Sequence, residues 1–167
     1  MAIILITGGA RSGKSVRAET RAKAFAGKPV YIATAEALDA EMRERIAGHR
    51  ARRGNEWIEH ETPLELVPAL HATDGGGARL VDCLTLWLSN LMHAQRDWSK
   101  ETERLAESLR AQKSPVVLVS NEVGLGIVPD NALARQFRDA AGVMNQMIAL
   151  VADEVEFVVA GLPMRVK

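Results

Sequence analysis

Ten residues near the start of the chain, ITGGARSGKS from Ile6 to Ser15, place Gly8, four further residues, and then Gly13, Lys14 and Ser15 in a row. Each residue type has a task if the partner is a chain of phosphates. Glycines let the backbone wrap an anion with its N–H groups, and a helix starting at the end of the loop adds partial positive charge. Lys14 then reaches the outer phosphates, and the Ser15 hydroxyl binds a magnesium ion. The surroundings agree with this reading. The loop follows the apolar run AIILIT and opens a helix-compatible segment, KSVRAETRAKAFAG, that reaches a C-terminal cap at Gly27. A chance glycine-rich turn between strand and helix is the bland alternative, and it leaves the lysine and serine unexplained.

A magnesium-bound triphosphate usually also needs an acid at the end of another strand. RLVDC offers Asp82, directly after apolar residues. The same side chain could cap the helix that begins LTLWLSNL, and the two roles are compatible. Glu122, in VVLVSNEVG, sits at the end of a further strand, but acids at strand-to-loop junctions often only fix the turn.

The stretch MRERIAGHRARR, Met42 to Arg53, sets His49 among Arg43, Arg45, Arg50, Arg52 and Arg53. Leu38, Met42 and Ile46 mark an apolar helical stripe, and His49 falls on the same face. Taken alone, this is a solvated amphipathic helix whose histidine lies near the C-terminal end, where the macrodipole favours positive charge. Beside a triphosphate a second reading opens. Like charge from the arginines would push the His49 pKa down and keep a ring nitrogen neutral, while the same guanidinium groups stabilise charge developing on phosphorus. That arrangement suits attack on a nucleotide phosphate and a phosphoramidate intermediate. The helix dipole pulls the pKa the other way, and the sequence leaves the balance open. His60, His71 and His93 lack comparable surroundings and read as structural or exposed.

These residues need a scaffold. Short apolar, β-branched runs recur as AIILIT from Ala2, VYIAT from Val30, ARLVDC from Ala78, VVLVS from Val116 and VEFVVA from Val155. They read as buried parallel strands. Segments of helical spacing lie between them, with expected starts at a capping box of Thr62, Pro63 and Glu65, at Ser99 and at Asp130. The expected architecture is therefore α/β, a mostly parallel central sheet flanked by helices. DGGG at Asp74 to Gly77 reads as a turn, and NEVGLGIVPDN from Asn121 to Asn131 as the one long irregular loop. LTLWLSNLMHAQRDW reads as core first, with a subunit surface or a substrate wall as alternatives.

Size and composition bound the rest. With 167 residues, 47% hydrophobic and 25% charged, residues 1–167 suit one domain. The formal net charge of zero gives no case for nucleic acid or an anionic membrane, so anion sites must be local. A single cysteine, Cys83, excludes an intrachain disulfide framework, and no apolar run is long enough to span a membrane. A cytoplasmic protein is expected.

Taken together, ITGGARSGKS, YIATA, DAEMRERIAGHRARR, VDCLTLWLSNLM and the long segment beginning VVLVSNEVGLGIVPDN resemble the bifunctional adenosylcobinamide kinase and adenosylcobinamide-phosphate guanylyltransferase family of cobalamin biosynthesis. The resemblance runs through nearly the whole chain. SNEVGLGIVP and the histidine after RI are its specific parts, since the phosphate loop alone would fit very many proteins. It implies a RecA-like P-loop NTPase fold with an added antiparallel edge, a homotrimer, and a corrinoid substrate. It also implies ATP or GTP as phosphate donor, GTP as GMP donor, and Mg2+. His49 falls on the family's covalent GMP carrier. Nucleotide contacts fall on Gly8, Gly9, Ala10, Arg11, Ser12, Gly13, Lys14 and Ser15, on Ala33, Thr34 and Ala35, on Arg50, Ala51, Arg52 and Arg53, and on Glu61 and Asp82. Ser15 and Asp82 take the metal. Some relatives carry two adjacent histidines, whereas here Gly48 precedes His49. Bringing His49 to the α-phosphate implies closure of residues 37–54 over the nucleotide. Two other classes remain open from the residues alone: an ordinary small-molecule P-loop kinase, and a GTP-switched regulatory protein that makes no product.

Overall fold

The computed structural model describes residues 1–36, 40, 43, 44, 47, 48, 51 and 54–167. The five apolar runs all form strands: β1 (Ile3–Gly8), β2 (Val30–Ala33), β4 (Arg79–Asp82), β5 (Val116–Asn121) and β6 (Glu154–Val159). Two further strands complete the sheet, β3 (Ile58–Glu61) and β7 (Leu162–Arg165). The order across the sheet is β3-β2-β4-β5-β1-β6-β7. All neighbours run parallel except β6 and β7, which pair antiparallel as a hairpin, the antiparallel edge that the resemblance implied.

The side-chain alternation of each strand splits the core in two. Ile3, Leu5, Ile32, Val81, Val116 and Leu118 point to one face, where they meet helices α2 (Leu66–Ala72), α3 (Leu84–His93), α4 (Trp98–Ala111) and α5 (Ala132–Val151). Ile4, Ile6, Tyr31, Leu80, Val117 and Val119 point to the other, where helix α1 (Lys14–Lys23) lays Ala18 and Ala22 against them. Burial on both faces is why these strands read as continuous apolar runs. Trp87, Leu88 and Leu91 of α3 are fully buried, so LTLWLSNLMHAQRDW is core at these positions. Each such side chain contributes roughly 1.5–3 kcal/mol.

Helix starts differ from the expected ones by a few residues. No capping box forms at Thr62: α2 begins at Leu66 with Glu65 as its N-cap residue, because the Thr62 amide is already held by the Ala33 carbonyl as an extension of β3. Asp97, not Ser99, caps α4 through the Lys100 amide. Asn131, not Asp130, caps α5, accepting from Ala134 N–H at 2.8 Å. Helix α1 stops at Lys23, short of Gly27, whose φ of 90° belongs to a turn packed on Gly77.

The DGGG turn does more than reverse the chain. Asp74 accepts hydrogen bonds from the Lys113 and Ser114 amides and pairs with the Arg79 guanidinium. Arg79 is 0% exposed and also donates to Gln112 Oε1 and the Ser114 carbonyl. Burial alone would raise the Asp74 pKa, but Arg79 and the two amides outweigh it and hold the carboxyl below the ordinary range. Asp74→Ala leaves that buried cation uncompensated and is expected to destabilise the fold by about 3 kcal/mol in urea unfolding at pH 7. A depressed carboxyl pKa stabilises only while the group is ionised. The difference between wild type and variant should thus be full above about pH 4 and shrink as the pH falls further.

Candidate functional site

The phosphate-loop residues occupy the carboxyl end of β1, between β5 and β6. Open α/β sheets gather ligands at this end. Gly8 is held on one side by the Glu122 amide, which donates to its carbonyl at 3.0 Å. A Cβ at Gly8 would lie 2.6 Å from both Ser12 Oγ and the Val158 carbonyl, so only glycine lets the loop turn this tightly. Arg11 and Gly13 both adopt positive φ, 55° and 94°. Gly13 is the N-cap residue of α1, and no described side chain caps that helix start. Its first N–H groups are left for an anion. Lys14 is only 9% exposed and folds over the loop, donating from Nζ to the Gly9 carbonyl at 2.9 Å. Gly9, Ala10, Ser12 and Ser15 complete the loop, with Ser15 half-buried in the first turn of α1.

The second group of expected site residues lines the same rim of the sheet. Ala33 is paired in register with Asp82 on one side and Glu61 on the other, so the three strand ends lie side by side. Thr34 ties two of them together. Its hydroxyl donates to the Cys83 carbonyl at 2.7 Å and accepts from the Cys83 amide at 2.8 Å, while its own amide donates to the Asp82 carbonyl. Asn90 of α3 donates to the carbonyls of Thr34 and Pro63, fixing the path that leaves β2. Ala35 follows on this path.

Asp82 does not cap α3, whose N-cap residue is Cys83. Its Oδ2 instead accepts from the Tyr31 hydroxyl at 3.0 Å. Burial, reinforced by the Asp82 charge, pushes the Cys83 thiol up to about 11, against a smaller opposing effect of the Lys14 ammonium. The thiol is therefore protonated and inert near neutral pH, and both charges of the site act on it. Among the described residues no group of three or more His, Cys, Asp or Glu side chains is gathered to hold a metal ion. A carboxylate and a serine hydroxyl on one rim are hard oxygen donors, which fit magnesium arriving with phosphate better than a metal caged by protein alone.

Helix α1 is strapped to β6 by charge. Arg17 makes two hydrogen bonds to Glu156, at 2.7 and 2.8 Å, and Arg21 bridges Glu156 and Glu154. The Arg17 hydrogen bond, opposed by burial and helped by Arg21, holds the Glu156 carboxyl below its usual value. Glu122 fixes its turn, accepting from the Gly124 amide at 2.6 Å. Ala51 is described and exposed, whereas His49, Arg50, Arg52, Arg53, Arg45 and the stripe of Leu38, Met42 and Ile46 lie outside the described residues. Tyr31 is the site residue that sequence reasoning missed. Strand alternation puts it on the same face as Ala33, the register partner of Asp82, and that signal could have found it.

A family model described as cobinamide kinase / cobinamide phosphate guanyltransferase matches residues 4–166. The bifunctional adenosylcobalamin biosynthesis protein CobP of Pseudomonas aeruginosa is 50% identical over 167 residues, covering 98% of this chain and 96% of that protein. The corresponding CobU of Salmonella typhimurium is 41% identical over 183 residues, with 99% of each chain covered. Among solved structures, the P4 protein of bacteriophage phi6 in complex with ADP superposes with a TM-score of 0.55 at 13% identity, over 97% of this chain and 52% of that one. An ATPase from a bacterial type III secretion system gives 0.57 at 11% identity, over 98% and 56%. These structures share the P-loop NTPase fold, and the chain belongs to the cobinamide kinase / cobinamide phosphate guanyltransferase family.

Proposed function

We propose that this chain performs both reactions named for its family at one phosphate-binding rim, and that in the second of them His49 carries GMP from GTP to the phosphorylated corrinoid. The observation that carries the reading is the loop from Gly8 to Ser15. There an uncapped helix start, an inward-folded Lys14 and a Gly8 without room for a side chain form a phosphate cradle, in a chain matched to the family from residue 4 to residue 166.

In the first reaction the hydroxyl oxygen of adenosylcobinamide attacks the γ-phosphorus of ATP or GTP. The bond from that phosphorus to the bridging oxygen breaks, the nucleoside diphosphate leaves, and the hydroxyl proton is released. Lys14 and the first amides of α1 hold the phosphate chain, which leaves the reacting phosphorus facing the rim. In the second reaction a His49 ring nitrogen attacks the α-phosphorus of GTP and pyrophosphate leaves. A phosphate oxygen of adenosylcobinamide phosphate then attacks the guanylyl phosphorus, the nitrogen–phosphorus bond breaks, and the neutral histidine returns. Ser15 and Asp82 would hold Mg2+, which when bound neutralises charge on the phosphates. Tyr31 orients that carboxylate by occupying Oδ2. Ala33 and Glu61 pair at the rim that holds Asp82, and Thr34 and Ala35 follow Ala33, which supports assigning them to the rest of the nucleotide. Arg50, Ala51, Arg52 and Arg53 follow His49 and would meet the phosphates as it does.

The reading extends to a homotrimer, with the exposed apolar side chains of the edge strand β7, Leu162 and Met164, as a candidate subunit contact. No helix among the described residues is long and apolar enough to cross a membrane.

Incubating the protein with adenosylcobinamide, GTP and Mg2+ tests the whole reading by mass spectrometry. The expected result is addition of one phosphate followed by addition of GMP, with pyrophosphate released in the second stage only. Phosphate addition alone would reduce the protein to a kinase, and no change in the corrinoid would refute both activities.

A further inference from the structure

The hairpin of β6 and β7 reaches back to the phosphate loop. Its turn is Ala160–Gly161, flanked by the pair Val159 and Leu162. Both turn residues have positive φ, 51° and 82°, the left-handed pair typical of two-residue hairpin turns. The Gly161 amide is not spent inside the turn. It donates to the Ser12 carbonyl at 2.8 Å. The two backbones touch at this point, since a Cβ on Gly13 would lie 3.1 Å from the Gly161 Cα.

In a trans peptide the carbonyl and the N–H of the same unit point in opposite directions. Holding the Ser12 carbonyl against the hairpin therefore turns the Gly13 N–H away from it. No described acceptor takes that N–H, and it lies one residue before Lys14 and the open start of α1. Without the hairpin contact, the glycine on one side of this peptide and the positive φ of Arg11 nearby make rotation of the unit easy, which would put a carbonyl oxygen where the phosphate needs a donor. The Arg17 and Arg21 pairs with Glu156 hold the other side of the same contact, fastening α1 to the strand that carries the turn.

We propose that the Gly161 amide is a positioning donor for phosphate binding: by anchoring the Ser12 carbonyl to the β6–β7 turn, it locks the Ser12–Gly13 peptide with the Gly13 N–H presented to the nucleotide's phosphates. The inference rests on the reading of Gly8 to Ser15 as the phosphate cradle. It gives the β6–β7 turn a part in nucleotide binding through the backbone of the phosphate loop.

The test replaces only the donor. In a semisynthetic full-length protein with glycolate in place of Gly161, an ester oxygen stands where the amide N–H was. Gly161→Pro removes the same donor and also forces φ away from 82°, Gly161→Asn keeps the donor in a residue that tolerates positive φ, and Met164→Gly weakens the hairpin away from the turn. Binding of GTP carrying a methylene bridge between its α- and β-phosphates, with Mg2+, is measured by calorimetry beside thermal midpoints and steady-state KM and kcat for GTP. The ester and Gly161→Pro are expected to bind about tenfold more weakly, the cost of one hydrogen bond that orients a charged ligand's donor, and to raise KM far more than they lower kcat. Gly161→Asn should bind within twofold of wild type, and Met164→Gly should lower the midpoint without this loss. Should Gly161→Pro not fold, the ester decides. Ester binding within twofold of wild type, or losses in all variants that follow their midpoints, would overturn the proposal. If wild type itself fails to bind the analogue, the cradle reading falls first.

Discussion

Lys14→Ala is expected to lower kcat/KM of the kinase reaction and of guanylyl transfer alike, each by about 10²–10³-fold, which is roughly 3–4 kcal/mol of transition-state stabilisation. In the free protein the ammonium is held over the loop by the Gly9 carbonyl, so it is already in place when the phosphates arrive. The fold should survive, since the loop's path is set by glycine geometry at Gly8 and Gly13 rather than by the lysine side chain. Lys14→Arg should not rescue either rate, because a planar guanidinium does not fit where a compact ammonium reaches between phosphates. Separate steady-state assays with adenosylcobinamide and with its phosphate as acceptors check this. A variant that loses one activity and keeps the other would mean that the two reactions do not share the cradle.

The opposite pattern is expected at His49. His49→Ala should abolish guanylyl transfer, by at least about 10³-fold, while leaving phosphorylation of the hydroxyl within a few-fold of wild type. Gly48 precedes His49, so no second histidine stands beside the proposed nucleophile to replace it. His49→Asn should behave as His49→Ala does, since an amide preserves size and hydrogen bonding but cannot form the nitrogen–phosphorus bond. The two acceptor assays, run on the same preparations, separate this from a general loss of nucleotide binding. Equal loss of both activities would make His49 a phosphate contact rather than a carrier.

The phosphate loop was legible in the sequence because its requirements are local: a turn that only glycine can make, a lysine and a serine at fixed offsets, and a strand before and a helix after them. The five buried strands were legible for a similar reason, as burial on both faces writes an unbroken apolar run. Strand β3 was not, because IEHE carries no apolar face and Ile58 is 49% exposed. It is held by backbone pairing with β2, which side-chain patterns do not record. Strand β7 contains Pro163, a residue that lacks an N–H and so argues against a strand unless the strand lies at an edge, as this one does. The caps of α4 and α5 fall one or two residues from the expected ones because several capable side chains stand close together, and the path of the chain into the helix decides which one reaches the open amide. The site itself shows the deeper limit. Asp82 could be picked from its place after an apolar run, but its partner Tyr31 and the tie from Gly161 to Ser12 join residues far apart in the chain, through a register that only the folded sheet defines.

If GMP passes through His49, the guanylylated protein can be trapped before any acceptor is added. The protein is incubated with Mg2+ and GTP labelled on the α-phosphate, without corrinoid, then denatured and digested. Label is expected on a single peptide containing His49, lost in acid and kept in alkali as a phosphoramidate is, absent from His49→Ala, and discharged from wild type by adenosylcobinamide phosphate. An unlabelled protein that still makes the guanylylated corrinoid would contradict passage through His49, as would label that persists in His49→Ala.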